Sequence, residues 1–295
     1  VIITTAAKPP SETKKRGALT MKYYDCHVHT KNSHDSQQEA GELVNGLIAA
    51  GVSGVSVTDH LDTMPGSDES FADNIGGSFE FYRDELKPLA EGNGLDAFFG
   101  VELGDGIRNP GFALDFPSRY PFDVILGSVH KIYLDGGNFT LYPQPYESFS
   151  AEKRRRIVAT YYDDVLLTAS TLDIDVLSHL TLINRYNGYP LTSDIFDSEF
   201  KDRINDILDT IIRRGIALEV NSKGFEGGRL MPDRYVIEEY FRKGGRLITL
   251  GSDAHRGVDI GRGFKETARM LREIGFKSIN YFKGREPVEY PIDAE

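Results

Sequence analysis

The residues of this chain best suited to do chemistry are its histidines. There are seven, at positions 27, 29, 34, 60, 130, 179 and 255, each just after a strand-like run and beside a loop or a glycine-rich turn. Carboxylates accompany them: Asp59 precedes His60, Glu102 closes an apolar run, and Asp253 stands two residues before His255. On extended backbone, residues two apart face the same side, so His27 with His29, and Asp253 with His255, each aim two groups at one centre. Imidazole mixed with carboxylate suits zinc, manganese or iron, whereas carboxylates alone suit magnesium better. The set exceeds what one ion can use. It reads as one polynuclear metal site, with Glu102 the natural bridge between ions about 3.5–4 Å apart, the spacing of two-metal phosphoester chemistry.

Singly, each element has an ordinary explanation. His34 alone reads as a solvated loop residue and His179 as a satisfied core histidine. Asp59 or Asp253 alone reads as a cap on the following turn. What these explanations leave uncovered is the joint placement at the ends of successive strands.

The elements that must position these groups are short runs rich in β-branched, aromatic and aliphatic residues, at 22–26, 54–58, 97–101, 123–127, 174–178, 216–220 and 246–250. Helical periodicity covers 38–50, about 78–91, 151–171, 197–214, 233–243 and 264–274, several ending at a glycine. On the first helix, Leu43, Leu47 and Ile48 share one face. The connection 103–121 carries Pro110, Pro117 and Pro121 and is irregular; 277–282 is an edge strand or a tail. Apolar strands alternating with helices predict an α/β fold, a distorted (β/α)7 TIM-like barrel, with a doubly wound open sheet as the alternative. In such barrels the chemistry sits at the C-terminal ends of the strands. Read in order, those ends give His27 and His29, Asp59-His60, Glu102, His130, His179, Asn221, and Asp253 with His255, while His34 lies in the loop after the first strand.

The chain has 295 residues, a net charge of −11 and a single cysteine, Cys26. Residues 1–20 read as a flexible leader and 21–295 as one domain. One cysteine and no secretory signal lead us to expect a reducing, cytoplasmic setting. No apolar run approaches the ~20 residues of a bilayer span, so no membrane partner is expected. The acidic balance argues against long nucleic acid but not against a small anion, because bound cations reverse the local field. Nothing in it fixes an oligomeric state.

The ordered set His27-Val28-His29, Thr58-Asp59-His60, Val101-Glu102, Ser128-Val129-His130, Ser178-His179 and Ser252-Asp253-Ala254-His255 resembles the motifs of the PHP (polymerase and histidinol phosphatase) superfamily, from Met21 to about residue 260. Within it the chain looks most like the stand-alone histidinol-phosphate phosphatases, and the run from His179 to Arg185-Tyr186 is similar to their segment after the fifth-strand histidine. The resemblance implies a (β/α)7 barrel with three divalent ions (Zn, Mn or Fe). It implies that the first is held by His27, His29, Glu102 and Asp253, the second by Glu102, His130 and His179, and the third by His34, His60 and His255.

The implied reaction is hydrolysis of a small phosphorylated substrate, L-histidinol phosphate, to L-histidinol and phosphate. A hydroxide held between two ions attacks phosphorus, and Asp253 or His255 protonates the leaving alkoxide. Phosphate also needs an orienting fork; Arg185 is the first candidate and one of Arg154, Arg155 or Arg156 the second, with Arg229 and Arg256 behind them. Asp62, Asp68 and Glu69 are candidates to face the substrate amine. The alternatives are a PHP-type phosphoesterase acting on nucleotides or nucleic-acid ends, and a barrel that binds metal or a partner without catalysis.

Overall fold

The structure, a computed structural model, describes residues 23–63, 70–186, 199–225 and 229–292, with the side chains of 70–73 left aside. The leader 1–20 and the loop acids Asp68 and Glu69 lie outside the described residues. The strands are β1 (Tyr23–Val28), β2 (Val52–Val57), β3 (His60–Asp62), β4 (Asp96–Gly104), β5 (Val124–Ser128), β6 (Lys131–Leu134), β7 (Gly137–Thr140), β8 (Val176–Leu177), β9 (Ala217–Asn221), β10 (Ile248–Gly251), β11 (Ser278–Lys283) and β12 (Glu286–Pro291).

Seven of them run parallel in the order β1-β2-β4-β5-β8-β9-β10, with β3 paired onto β4 beside that path. The order never reverses, which a doubly wound sheet requires. The last strand also reaches the first: Val28 bridges Ala254, the N–H of His29 donates to the carbonyl of Ala254 at 2.9 Å, and the N–H of Asp253 donates to the carbonyl of His27 at 2.8 Å. The fold is therefore the expected (β/α)7 barrel. Its distortion lies in the two-residue β8 and in register shifts between β1 and β2.

Helices cover the barrel where the periodicity requires. Ala40–Ala50 stops at Gly51, whose φ of 67° suits glycine. That helix buries Leu43, Val44 and Leu47; Ile48 is 42% exposed, so Val44 takes the place expected of it. The segment 78–91 starts earlier than its pattern suggests, as Ser70–Phe81, a π-turn at Tyr82–Leu86 and Lys87–Gly92. Ala151–Thr171 is capped by the Ser150 side chain, which accepts from the N–H of Lys153. Among the described residues no helix is long and apolar enough to cross a membrane.

Two antiparallel hairpins are additions to the expected plan. β6 and β7 pair beside the site, and β11 with β12. The second hairpin settles the choice at 277–282: it is a strand, and Tyr281 stacks on Tyr24 of β1 with ring centroids 4.0 Å apart.

Candidate metal centre

At the C-terminal mouth of the barrel the side chains converge on Glu102. The structure continues β4 to Gly104, so this glutamate is held within a strand rather than after one. Its Oε2 lies 3.3 Å from His27 Nε2, 3.5 Å from His29 Nε2 and 2.9 Å from His60 Nδ1. Its Oε1 lies 3.1 Å from His130 Nε2 and 2.8 Å from His179 Nε2. Asp253 joins through Oδ1, 3.3 Å from His29 Nε2. His179 and Asp253 have φ of 24° and 52°, a region non-glycine residues seldom enter, and such strain tends to collect at functional sites.

Outer partners set which ring nitrogen faces inward. His27 Nδ1 donates to Glu219 Oε1 at 2.6 Å, His130 Nδ1 to Asp62 Oδ1 at 3.0 Å, and His255 Nδ1 to the carbonyl of Asp253 at 3.0 Å. A carboxylate or carbonyl partner makes Nδ1 the donor, leaving the Nε2 lone pair of the neutral ring for an ion. His29 Nδ1 faces Ser33 Oγ at 3.0 Å. Two glycines make room for these carboxylates. A Cβ on Gly251 would sit 2.2 Å from Glu219 Oε1, and one on Gly104 2.1 Å from Asp62 Oδ1.

The donor set fits divalent ions. Four groups bring one ligand atom each to within 4.8 Å of one another: His27, His29 and Glu102; His27, His179 and Asp253; His60, Glu102 and His130; His29, His60 and His255. Glu102 Oε2 is buried with no hydrogen-bond partner, although His60 Nδ1 lies 2.9 Å away. Nε2 of His27 and of His29 face each other at 3.1 Å. Lone pairs converging in this way are what a cation resolves.

The electrostatics agree with ionised carboxylates. Burial alone would push Glu102 up, but the rings of His60, His130 and His27 hold its carboxyl well below the usual range. For Asp253 burial is likewise outweighed, by Lys223 and by His27 and His29. His29 is pushed well down by burial and by neighbouring His60. His60, despite burial, is pushed up to about 9, chiefly by Glu102.

The structure changes three expectations. His34 is exposed, and its ring lies 5.1 Å from that of His60, whereas the next residue, Asp35, has Oδ2 2.8 Å from His255 Nε2 and 3.6 Å from His60 Nε2. The turn after β1 thus brings Asp35 within reach of that pair, with the His34 ring beside His60; both residues are exposed and both line the cavity. Arg185 is exposed, its guanidinium 5.5 Å from the ring of Tyr186, and Arg155 is 62% exposed and pairs with Glu199; neither lines the cavity over the cluster. Arg156 pairs with Asp135 and Arg256 with Asp259, and Arg229 donates to the carbonyl of Asn184. Asp62 belongs to β3 rather than to a loop; it orients His130 and also lines the cavity, where a substrate would meet it.

Glu219 and Lys223 are parts of the site that the sequence reading passes over. Glu219 stands inside the apolar run 216–220, and a charge there was the available signal. Lys223, whose Nζ lies 2.7 Å from Asp253 Oδ1, carries no local signal.

A family profile described as PHP domain matches residues 25–223. The chain is 27% identical over 267 residues to a probable histidinol-phosphatase of Clostridium acetobutylicum, covering 88% of this chain and 97% of that one. It is 27% identical over 271 residues to the histidinol-phosphatase of Lactococcus lactis, covering 90% and 96%. Among solved structures, the Lactococcus lactis histidinol phosphate phosphatase, complexed with zinc, L-histidinol and phosphate, superposes with a TM-score of 0.70 at 22% identity over 90% of this chain and 99% of that one.

Proposed function

The chain belongs to the PHP domain family, and on that premise we propose that it is a divalent-metal-dependent phosphomonoesterase that hydrolyses L-histidinol phosphate to L-histidinol and phosphate. The observation that carries the reading is Glu102, whose two oxygens meet five imidazoles within 3.5 Å. The substrate assignment is supported by relatives named histidinol-phosphatase that align over nearly their whole length. The cavity of about 230 Å³ supports a small substrate, since pockets for drug-sized ligands run to roughly 300–1,000 Å³.

We assign three ions. His27, His29, Glu102 and Asp253 would hold the first, Glu102, His130 and His179 the second, and His60, His255 and Asp35 the third. Such ions supply a nucleophile at neutral pH, by lowering the pKa of bound water, and neutralise charge on phosphorus. The protein's own part is orientation and proton transfer. Glu219 and Asp62 hold the rings of His27 and His130 in one tautomer. The proton that the attacking water loses must reach the leaving alkoxide, and Asp253 and His255, 3.7 Å apart, are placed to carry it there, one accepting it before it is passed on.

The test is phosphate release from L-histidinol phosphate and from a nucleoside 3′,5′-bisphosphate at matched concentrations, with manganese or zinc supplied. Strong preference for histidinol phosphate is expected. Preference for the nucleotide would move the protein to nucleotide turnover, and metal bound without turnover of either would refute the assignment.

A further inference from the structure

We propose that Lys223 holds the phosphoryl group of the substrate against the metal cluster, a task the sequence motifs suggest for arginine; this rests on the phosphomonoesterase reading above. Among the described residues, the cavity over the cluster is lined by two cationic side chains other than histidine, Lys131 and Lys223, and by no arginine. A phosphomonoester dianion needs positive charge and N–H donors to fix its orientation, and a lysine ammonium offers a compact charge with three donors. With a net charge of −11, the chain's long-range field does not gather anions, so capture depends on cations at the site itself.

Lys223 is built for this position. It stands two residues after the end of β9, and its N–H donates to Asn221 Oδ1 at 3.0 Å, which fixes the start of the side chain at a strand end. Its Nζ reaches Asp253 Oδ1 at 2.7 Å and lies 3.5 Å from His255 Nδ1. One donor is spent on Asp253. The side chain stays 33% exposed, and it lines the cavity, so the other donors are open to a ligand. Both ammoniums meet a carboxylate, so position separates them: Lys223 reaches Asp253 and lies near His255, at the cluster itself, whereas Lys131 reaches Asp62, on the outer side of His130. The competing role for Lys223 is to hold Asp253 alone, but Asp253 already faces His29 Nε2 at 3.3 Å and Asn221 Nδ2 at 3.4 Å.

The experiment compares wild type with Lys223→Met and Lys223→Arg, each loaded with manganese. Metal content is measured by atomic emission and inorganic phosphate binding by calorimetry. Inhibition by inorganic phosphate is followed on 4-nitrophenyl phosphate. We expect Lys223→Met to keep its metal, bind phosphate at least tenfold more weakly, and raise KM more than it lowers kcat; Lys223→Arg recovers most of the affinity. If Lys223→Met does not accumulate as folded protein, Lys223→Gln takes its place. Phosphate affinity within twofold of wild type, or a loss that disappears once metal content is restored, would overturn the proposal and leave Lys223 as a support for Asp253. Phosphate binding does not depend on histidinol. Wild type that binds phosphate through Lys223 yet ignores histidinol phosphate would therefore overturn the substrate and leave Lys223 standing.

Discussion

Glu102 is 1% exposed, so removing its charge does more than remove a proposed ligand: it leaves buried imidazoles without their anion. Glu102→Gln keeps the volume and loses the charge, and we expect nearly all phosphatase activity and at least one equivalent of metal to go with it. A variant with full metal content and normal turnover would sink the ligand assignment. Glu219 acts through His27, so Glu219→Gln should be milder, a loss of about 10–100-fold in metal affinity or activity, as is usual for partners that orient a metal-binding histidine. Gly251→Ala should reproduce that loss, since its methyl would displace the same carboxylate. The turn after β1 gives a sharper comparison. Asp35→Ala should release one ion, because Asp35 meets His255 and His60, while His34→Ala should keep the metal count; the reverse result would restore His34 to the set.

The strands were legible because buried parallel strands are apolar runs closed by a polar group, and this chain's runs end in histidine or carboxylate, apart from the one that ends at Asn221. What lay beyond that pattern was harder to see. The hairpin β6–β7 turns on Asp135-Gly136, both with positive φ (54° and 84°), the geometry an Asp-Gly turn provides; the signal is present but stands outside the alternation of strand and helix. The sequence does not single out Asp35 beside His34, because which of two neighbours in an irregular turn meets a given partner is decided by backbone direction, not by residue type. Barrel closure leaves a cue only in its consequences. Asp25 on β1 accepts from the N–H of Ser252 at 2.9 Å and from that of Gly261 at 3.0 Å, tying the first strand to the segment after the last. Asp25→Ala leaves both groups without an acceptor and should cost roughly 2–5 kcal/mol in urea unfolding. Burial, against the hydrogen bonds from Ser252, pushes the Asp25 carboxyl up to about 6. Its unfolded value is about 3.9, so the folded state holds the extra proton between the two. The resulting stability is full below the lower value and is lost as pH rises through about 6. Asp25→Asn cannot titrate. The stability of wild type minus that of Asp25→Asn should therefore fall between pH 4 and pH 6.5, and a difference independent of pH would show that folding does not raise the Asp25 carboxyl.

For the whole molecule, the proposed ligand set makes metal binding and folding one equilibrium, because those residues come from opposite ends of the chain, from His27 to His255. An ion that binds only the folded state adds about 4.1 kcal/mol at a free concentration of 1,000 Kd. For a chain of this size each kcal/mol moves Tm by roughly 2–4 °C, so stripping one such ion should lower Tm by roughly 8–16 °C. The pH dependence of that gap has a definite sign. In the metal-free field His60 is pushed up to about 9, Glu102 outweighing burial. His27 is raised too, by Glu219 and Glu102 against burial, and His130 by Glu102 and Asp62 against burial. A raised histidine pKa stabilises the metal-free fold fully below the unfolded value near 6.5, and that contribution fades as pH rises through about 9. An entering ion must also displace the proton, which weakens binding about tenfold per proton for each unit of pH below that point. Both effects act in one direction. The Tm difference between zinc-loaded and chelator-stripped protein should widen from pH 6 to pH 8.5, with protons released on binding in calorimetry run in buffers of different ionisation enthalpy. A gap that stays constant with pH, or a stripped protein as stable as the loaded one, would mean that these histidines meet the ion already neutral and that the cluster does not carry the fold.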